Sequence, residues 1–320
     1  RFLYFLLNPI NFQLESTHSL TQTTRELIQQ ANGRLGIEVD CPLAQDQYDA
    51  AHKIYGGSSV MIDGEEFHFD SAKVVVVGKD FFLMTKIHGE HFIELPEGNK
   101  EELSTKKKFA MATLTYELHN ILKGEFDCDR HGGNVKVDTE QNRIGHFDFK
   151  CMPLHQWSGE GYEQFAELLL NIFDGEKTIQ QFFAALIEQE QNLRDRLQKE
   201  GKSIDPFVTE AKKALLTNAE YAQLLTKSDL MRVLLSAILS VMHPQMQQAL
   251  LSGIAKKVPE PFKDVYKAQI EPAIQMALTT GELQPEVLQV LPMAIETKDI
   301  ITIKRRPEHS SPNVSEALSA

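Results

Sequence analysis

Apolar and polar positions recur with two different periods along the chain, and the change of period divides it. Between residues 59 and 87 the pattern is short and strand-like. SSVMI and EEFHFD flank Asp63-Gly64, a strong hairpin signal. AKVVVVG and FFLMTKI follow, joined by Gly78-Lys79-Asp80, which predicts a small, mostly antiparallel sheet. Two helical stretches precede it: HSLTQTTRELIQQANG, ending at Gly33, and CPLAQDQYDAAHKIYGG, ending at Gly56-Gly57. From residue 99 the period becomes helical. Leu103, Ala110, Leu114, Leu118 and Ile121 share one face of a helix over 99–122, which Gly124 stops. A second hairpin follows, NVKVD and RIGHFDF about the turn TEQN, and from about 159 to 298 nearly every segment reads as helix. The opening RFLYFLLNPINF is too short to span a bilayer and reads as buried strand. The tail from Thr302 is polar and is expected to be disordered. The expected architecture is α+β: a small β-rich unit over 1–98, a large helical unit over 99–300, and a polar tail over 301–320.

Composition narrows the choice of function. With 320 residues and 42% hydrophobic content, the chain can bury a sizeable core. Its 33 basic against 45 acidic residues give a net charge of −12, which disfavours non-specific nucleic-acid binding. Three scattered cysteines without a C-x-x-C pair argue against a disulfide framework or structural zinc and fit a reducing, cytosolic setting. The HGEH run at 88–91 lacks helical i, i+4 spacing and reads as surface loop, not zinc ligands.

Candidate chemistry concentrates in FDCDRHGGNVKVDTEQNRIGHFDFK, residues 126–150. Phosphoryl transfer needs an acid to accept the proton of the attacking hydroxyl. It also needs an amide oxygen and a second acid to hold magnesium against the phosphates, and a lysine to steady them. Asp129 stands five residues before Asn134, and Asp148 fourteen after it, at the two ends of the second hairpin. That spacing can bring both oxygens to one ion.

The run DRHGGN…GHFDF resembles the D-R-H-x-x-N and H-I-D-F-G motifs of the phosphoinositide 3- and 4-kinases and related atypical protein kinases. The resemblance implies a bilobal protein-kinase-like fold, with a small β-rich N-lobe and a large helical C-lobe, that uses ATP with magnesium or manganese. By position, Asp129 resembles the catalytic Asp, His131 the histidine of that loop, and Asn134 and Asp148 the metal ligands; Arg130 is expected to orient the loop. DFFLMTKIHGE is similar to a kinase fifth strand and hinge, so the backbone around Met84 and Lys86 is expected to meet adenine. Lys73, thirteen residues after Val60, is the candidate ATP lysine, and Glu26 its candidate partner.

Departures from the pattern are specific. No G-x-G-x-x-G occurs, and YGGSSV at 55–60 is the one glycine pair suited to approach phosphates. Position 150 is Lys where the family has Gly. Two other readings therefore stay open: a nucleotide-binding pseudokinase and a phosphoinositide or small-molecule kinase. The segment KCMPLHQWSGEG offers only Lys150 and His155 to a lipid headgroup, which favours a protein acceptor. The triplet Lys106, Lys107 and Lys108 is the candidate site for an activating inositol polyphosphate or anionic lipid. A family-like catalytic core in a short chain with Gln-rich helices resembles the effector kinases that intracellular bacteria such as Legionella deliver into host cells. That implies secretion and a host protein substrate.

Overall fold

The structure, a computed structural model, describes residues 41–78, 81–149, 158–172, 179–240 and 301–304, with isolated positions between 264 and 272. The expected helix ending at Gly33, Glu26, Lys150, His155 and the helical segments after residue 240 lie outside the described residues, those isolated positions apart.

Helix α1 (Cys41–Tyr55) leads into strands β1 (Ser59–Ile62) and β2 (Glu65–Ser71). Their turn is the Asp63-Gly64 pair, with φ of 52° and 84°. Positive φ at both central residues is what a tight hairpin twisted like its strands requires. Strands β3 (Val74–Val77) and β4 (Phe82–Met84) form a separate antiparallel ribbon. After β5 (Glu90–His91), helix α2 runs over Lys100–Lys123. Asn99 caps its start by accepting from the amides of Glu101 and Glu102, and Gly124 closes its end at φ 83°. Strands β6 (Val135–Asp138) and β7 (Arg143–His146) follow, then helices α3 (Gly159–Ile172), α4 (Ile179–Lys199), α5 (Pro206–Thr217), α6 (Ala219–Gln223) and α7 (Lys227–Ser240).

The described chain is thus mixed α/β, with a β-rich part first and helices after it. Two features depart from the sequence pattern. The single meander expected over 59–84 is split. The edge of β2 that β3 would occupy is taken by β7, which pairs with β2 in parallel, and the Ala72 amide donates to the His146 carbonyl at 2.9 Å. The second departure is at the far end. Thr302–Lys304, expected to be disordered, forms strand β8, antiparallel to β1. The main sheet has the order β5-β6-β7-β2-β1-β8, so it takes strands from both sides of the expected boundary at residue 98.

One apolar face of this sheet packs on α2. Phe67 meets Phe109 edge-on at 5.0 Å, and Phe69 stacks on Tyr116 at 4.4 Å. Ala110, Leu114, Leu118 and Ile121 are buried as their spacing predicts, whereas Leu103, in the first turn of α2, stays exposed. Helix α7 packs along the same helix. A single hydrophobic core runs from Tyr48 to Ile301. Among the described residues no helix is long and apolar enough to cross a membrane.

Candidate functional site

Gly124 releases the chain from α2 into the loop that holds the candidate catalytic residues. Phe126 anchors it, fully buried against Phe207. Asp127 then turns inward with no exposure, and its carboxylate accepts from the Asp129 amide and from the Arg130 guanidinium. Arg130 is also fully buried. Its Nη1 donates to the Asn134 carbonyl at 2.9 Å and to the Phe147 carbonyl at 3.0 Å, and its face lies 4.7 Å from the Phe149 ring centroid. One guanidinium therefore clamps the loop, the start of β6 and the end of β7, as its expected orienting role requires. Paired hydrogen bonds in fixed geometry are what arginine supplies and lysine does not.

The clamp leaves Asp129 half-buried, and its carboxylate makes no hydrogen bond or ion pair among the described residues. Its carbonyl accepts from Asn134 Nδ2 at 3.2 Å. That bond uses the donor end of the Asn134 amide and leaves Oδ1 without a hydrogen-bond partner among the described residues. The Phe147 amide donates to the Asn134 carbonyl at 3.3 Å, which places the residue before Asp148 against Asn134. Asp148 adopts φ 57°, a left-handed conformation that Asp tolerates better than most residues, and its amide donates to the Tyr48 hydroxyl at 3.1 Å. Phe149 is buried between Tyr48 and Tyr55 and fixes the chain just beyond.

His131 is exposed, and its Nδ1 accepts from the Gly133 amide at 3.1 Å, capping the short turn Gly132–Asn134. The Gly132 amide donates to Glu220 from α6. His91, in the run read as surface loop, is half-buried. It bonds the Gly133 carbonyl at 3.0 Å and meets the Phe147 ring edge-on, so it braces the loop. Among the described residues, no group of three or more His, Cys, Asp and Glu is placed to hold a metal. Asn134 and Asp148 supply one amide and one carboxylate oxygen, a set that fits magnesium only with phosphate and water oxygens completing the shell.

The nucleotide candidates are brought together in part. The Lys73 amide donates to Thr85 Oγ1 at 2.9 Å, and the Thr85 amide to the Lys73 carbonyl at 2.8 Å. This pairing places Lys73 beside the Met84–Lys86 stretch, and all three residues are exposed. The glycine pair is different. The Gly56 amide donates to the His52 carbonyl and the Gly57 amide to the Phe69 carbonyl, so neither points at a phosphate. The lysine triplet is also engaged internally. Lys106 is buried, donates to the Leu95 carbonyl and pairs with Glu97 at 2.7 Å. Lys107 pairs with Asp229 at 2.6 Å, and Lys108 with Glu65. The triplet ties α2 to α7 and to the β1–β2 turn rather than forming an open basic patch.

Behind the loop lies a buried polar cluster that the sequence pattern did not single out. Glu117 of α2 accepts from the Tyr55 hydroxyl at 2.9 Å, and its other oxygen lies 3.4 Å from His146 Nε2 and 4.0 Å from Arg130 Nε. Burial pushes the Glu117 carboxyl up to about 7, against the opposing pull of Arg130. Burial, and next the charge of Arg130, holds the His146 imidazole well below its ordinary value. Arg130 and His146 belong to the DRHGGN…GHFDF run, whereas the sequence signal for Glu117 is a charged residue in an otherwise apolar helix stripe. No family model matches the chain, and no curated protein does.

Proposed function

We propose that the chain is an ATP-dependent phosphotransferase of the atypical kinase kind, with a protein hydroxyl as acceptor. The observation that carries this reading is the state of two side chains, Asp129 and Asn134, and the backbone placement of Asp148 beside them at one end of the β6–β7 hairpin. The buried Asp127–Arg130 pair rigidifies the loop, yet the Asp129 carboxylate and Asn134 Oδ1 make no hydrogen bond among the described residues, and Asp148 follows the strand end bonded to Asn134. Preorganised groups aimed at the reacting atoms are the main source of catalysis in phosphoryl transfer.

In this reading Asp129 orients the acceptor hydroxyl and takes its proton as the oxygen attacks the γ-phosphorus, the bond from that phosphorus to the bridging oxygen breaks and ADP leaves. Asn134 Oδ1 and the Asp148 carboxylate would hold magnesium or manganese, which when bound would neutralise charge on the β and γ phosphates. Arg130 acts as a positioning residue. Lys73, Met84 and Lys86, gathered by the Lys73–Thr85 pairing, are the nucleotide contacts. A second reading, nucleotide binding without turnover, draws on the engaged amides of Gly56 and Gly57, which leave no glycine loop over the phosphates.

Labelled ATP with the purified chain and a generic protein substrate, with and without divalent metal, tests both. Turnover that needs metal and falls at least a hundredfold in Asp148→Ala is expected, with the variant still folding cooperatively and losing only the modest stability that Ala costs at a positive φ. Metal-dependent ATP binding without transfer gives the second reading. Wild-type turnover in Asp148→Ala removes the site assignment.

A further inference from the structure

Away from this loop, the opposite end of the β6–β7 hairpin borders a cavity of about 530 Å3. His52 of α1, His68 and Asp70 of β2, Lys73, and Gln141 and Arg143 of the β6–β7 turn line it. The turn is held there by backbone pairing. The His68 amide donates to the Asn142 carbonyl at 2.8 Å, and Arg143 lies opposite His68 in the parallel β2–β7 register. Strand β7 rises about 3.3 Å per residue, so Arg143 stands roughly 10 Å from His146, where the hairpin turns toward Asp148.

The lining is basic in a chain of net charge −12. Arg143 and Lys73 form no ion pair among the described residues, and the one side-chain bond of Arg143 is a long one, 3.4 Å to Gln141. Gly57 keeps a side chain out of the cavity wall. The Arg143 guanidinium and the His68 imidazole line one hollow and suit a phosphoryl group, which arginine grips in bidentate fashion, while the His52 ring is bonded to Ser71 Oγ at 2.9 Å. The wall also carries Asp70. One of its oxygens accepts from the Ser71 amide at 2.8 Å, and the other has no partner among the described residues. A carboxylate repels a bare phosphate but accepts from hydroxyl groups, as does the Gln141 amide. The volume lies within the range of small-molecule sites and exceeds what a lone phosphate fills.

We propose that this cavity binds a small phosphate monoester carrying hydroxyl groups, of the sugar-phosphate class, with Arg143 and His68 on the phosphate and Asp70 and Gln141 on the hydroxyls. The site is distinct from Asp129, Asn134 and Asp148 and stands whether or not the phosphotransferase reading holds.

Calorimetry with ribose 5-phosphate, ribose and inorganic phosphate, in the absence of ATP, tests it on the full chain. Saturable binding of ribose 5-phosphate is expected, at least tenfold tighter than inorganic phosphate, with no heat from ribose. The exposed double variant His68→Ala/Arg143→Ala, checked by its melting temperature, is expected to weaken it at least tenfold, and Asp148→Ala to leave it unchanged. Asp70→Asn should weaken ribose 5-phosphate while leaving or tightening inorganic phosphate. No saturable binding, or equal affinity in the folded double variant, overturns the site. Equal affinity for phosphate and sugar phosphate overturns the hydroxyl recognition, and loss in Asp148→Ala places the ligand at the other end of the hairpin.

Discussion

At the scale of single residues, Glu117, His146, Arg130 and Asp127 make the loop sensitive to substitutions that no surface reading suggests. Asp127 and Arg130 are a fully buried ion pair. Removing one partner strands the other charge, which typically costs about 3–5 kcal/mol. Arg130→Met is therefore expected to lower stability by about that amount, and Asp127→Asn added to it to recover part of the loss; urea denaturation of the single and double variants reads both. Glu117 and His146 act on stability in opposite directions with pH. Glu117, ordinarily near 4.5, is raised to about 7 in the folded chain. The folded state therefore holds a proton that the unfolded state lacks, and this contribution, complete below 4.5, is lost as pH rises through about 7. His146 is held neutral, so the unfolded state gains the extra proton below its ordinary value of 6.5, and stability falls as pH drops through it. Below 6.5, where the two windows overlap, the two slopes oppose each other in the wild type. Glu117→Gln keeps the acceptor for Tyr55 but removes one slope, so its stability relative to wild type should rise by about 1.4 kcal/mol per pH unit from 4.5 to 7. Denaturation at pH 5, 6 and 7 checks this. A constant difference would place Glu117 ionised in the folded chain.

At the scale of elements, α2 joins the sheet to the loop, and its ends were the most legible part of the sequence. Asn99 before an acidic first turn and Gly124 after the last apolar position both act as their residue types predict. Asn99→Ala removes an acceptor shared by two amides and should cost about 1 kcal/mol. Ser at the same position should restore it, with the urea midpoint as readout. The Asp63-Gly64 hairpin and the β6–β7 hairpin were legible for the same reason, since turn chemistry and alternation are local. The loop motif was legible as residue types at a spacing. Its support was not, because Asp127 acts through burial, and Glu117 and His91 through contacts with residues far away in sequence. The partners of the lysine triplet were hidden in the same way. Its spacing around the helix gave no sign that Glu97, Asp229 and Glu65 stand opposite.

At the scale of the whole molecule, the unreadable part was which strands meet. Nothing local in EEFHFDS or RIGHFDF specifies that β2 and β7 pair in parallel, or that three residues near the C-terminus add to β1. Those pairings are set by a core that closes around α2, and they put the β-rich part and the β6–β7 hairpin in one sheet. The C-terminal strand carries the sharpest test. Ile301 is 2% exposed, and its amide donates to Ser236 Oγ of α7 at 2.9 Å. Lys304, three residues on, is exposed and pairs with Glu66 at 3.2 Å. Burial and exposure so close together should separate cleanly in effect. Ile301→Ala leaves a cavity between β8 and α7 and should cost about 2–5 kcal/mol. Lys304→Ala loses only a solvent-screened pair and should stay within about 1 kcal/mol of wild type. Equal urea midpoints for the two variants would show that this segment does not close the sheet in solution, and that β1 is an open edge.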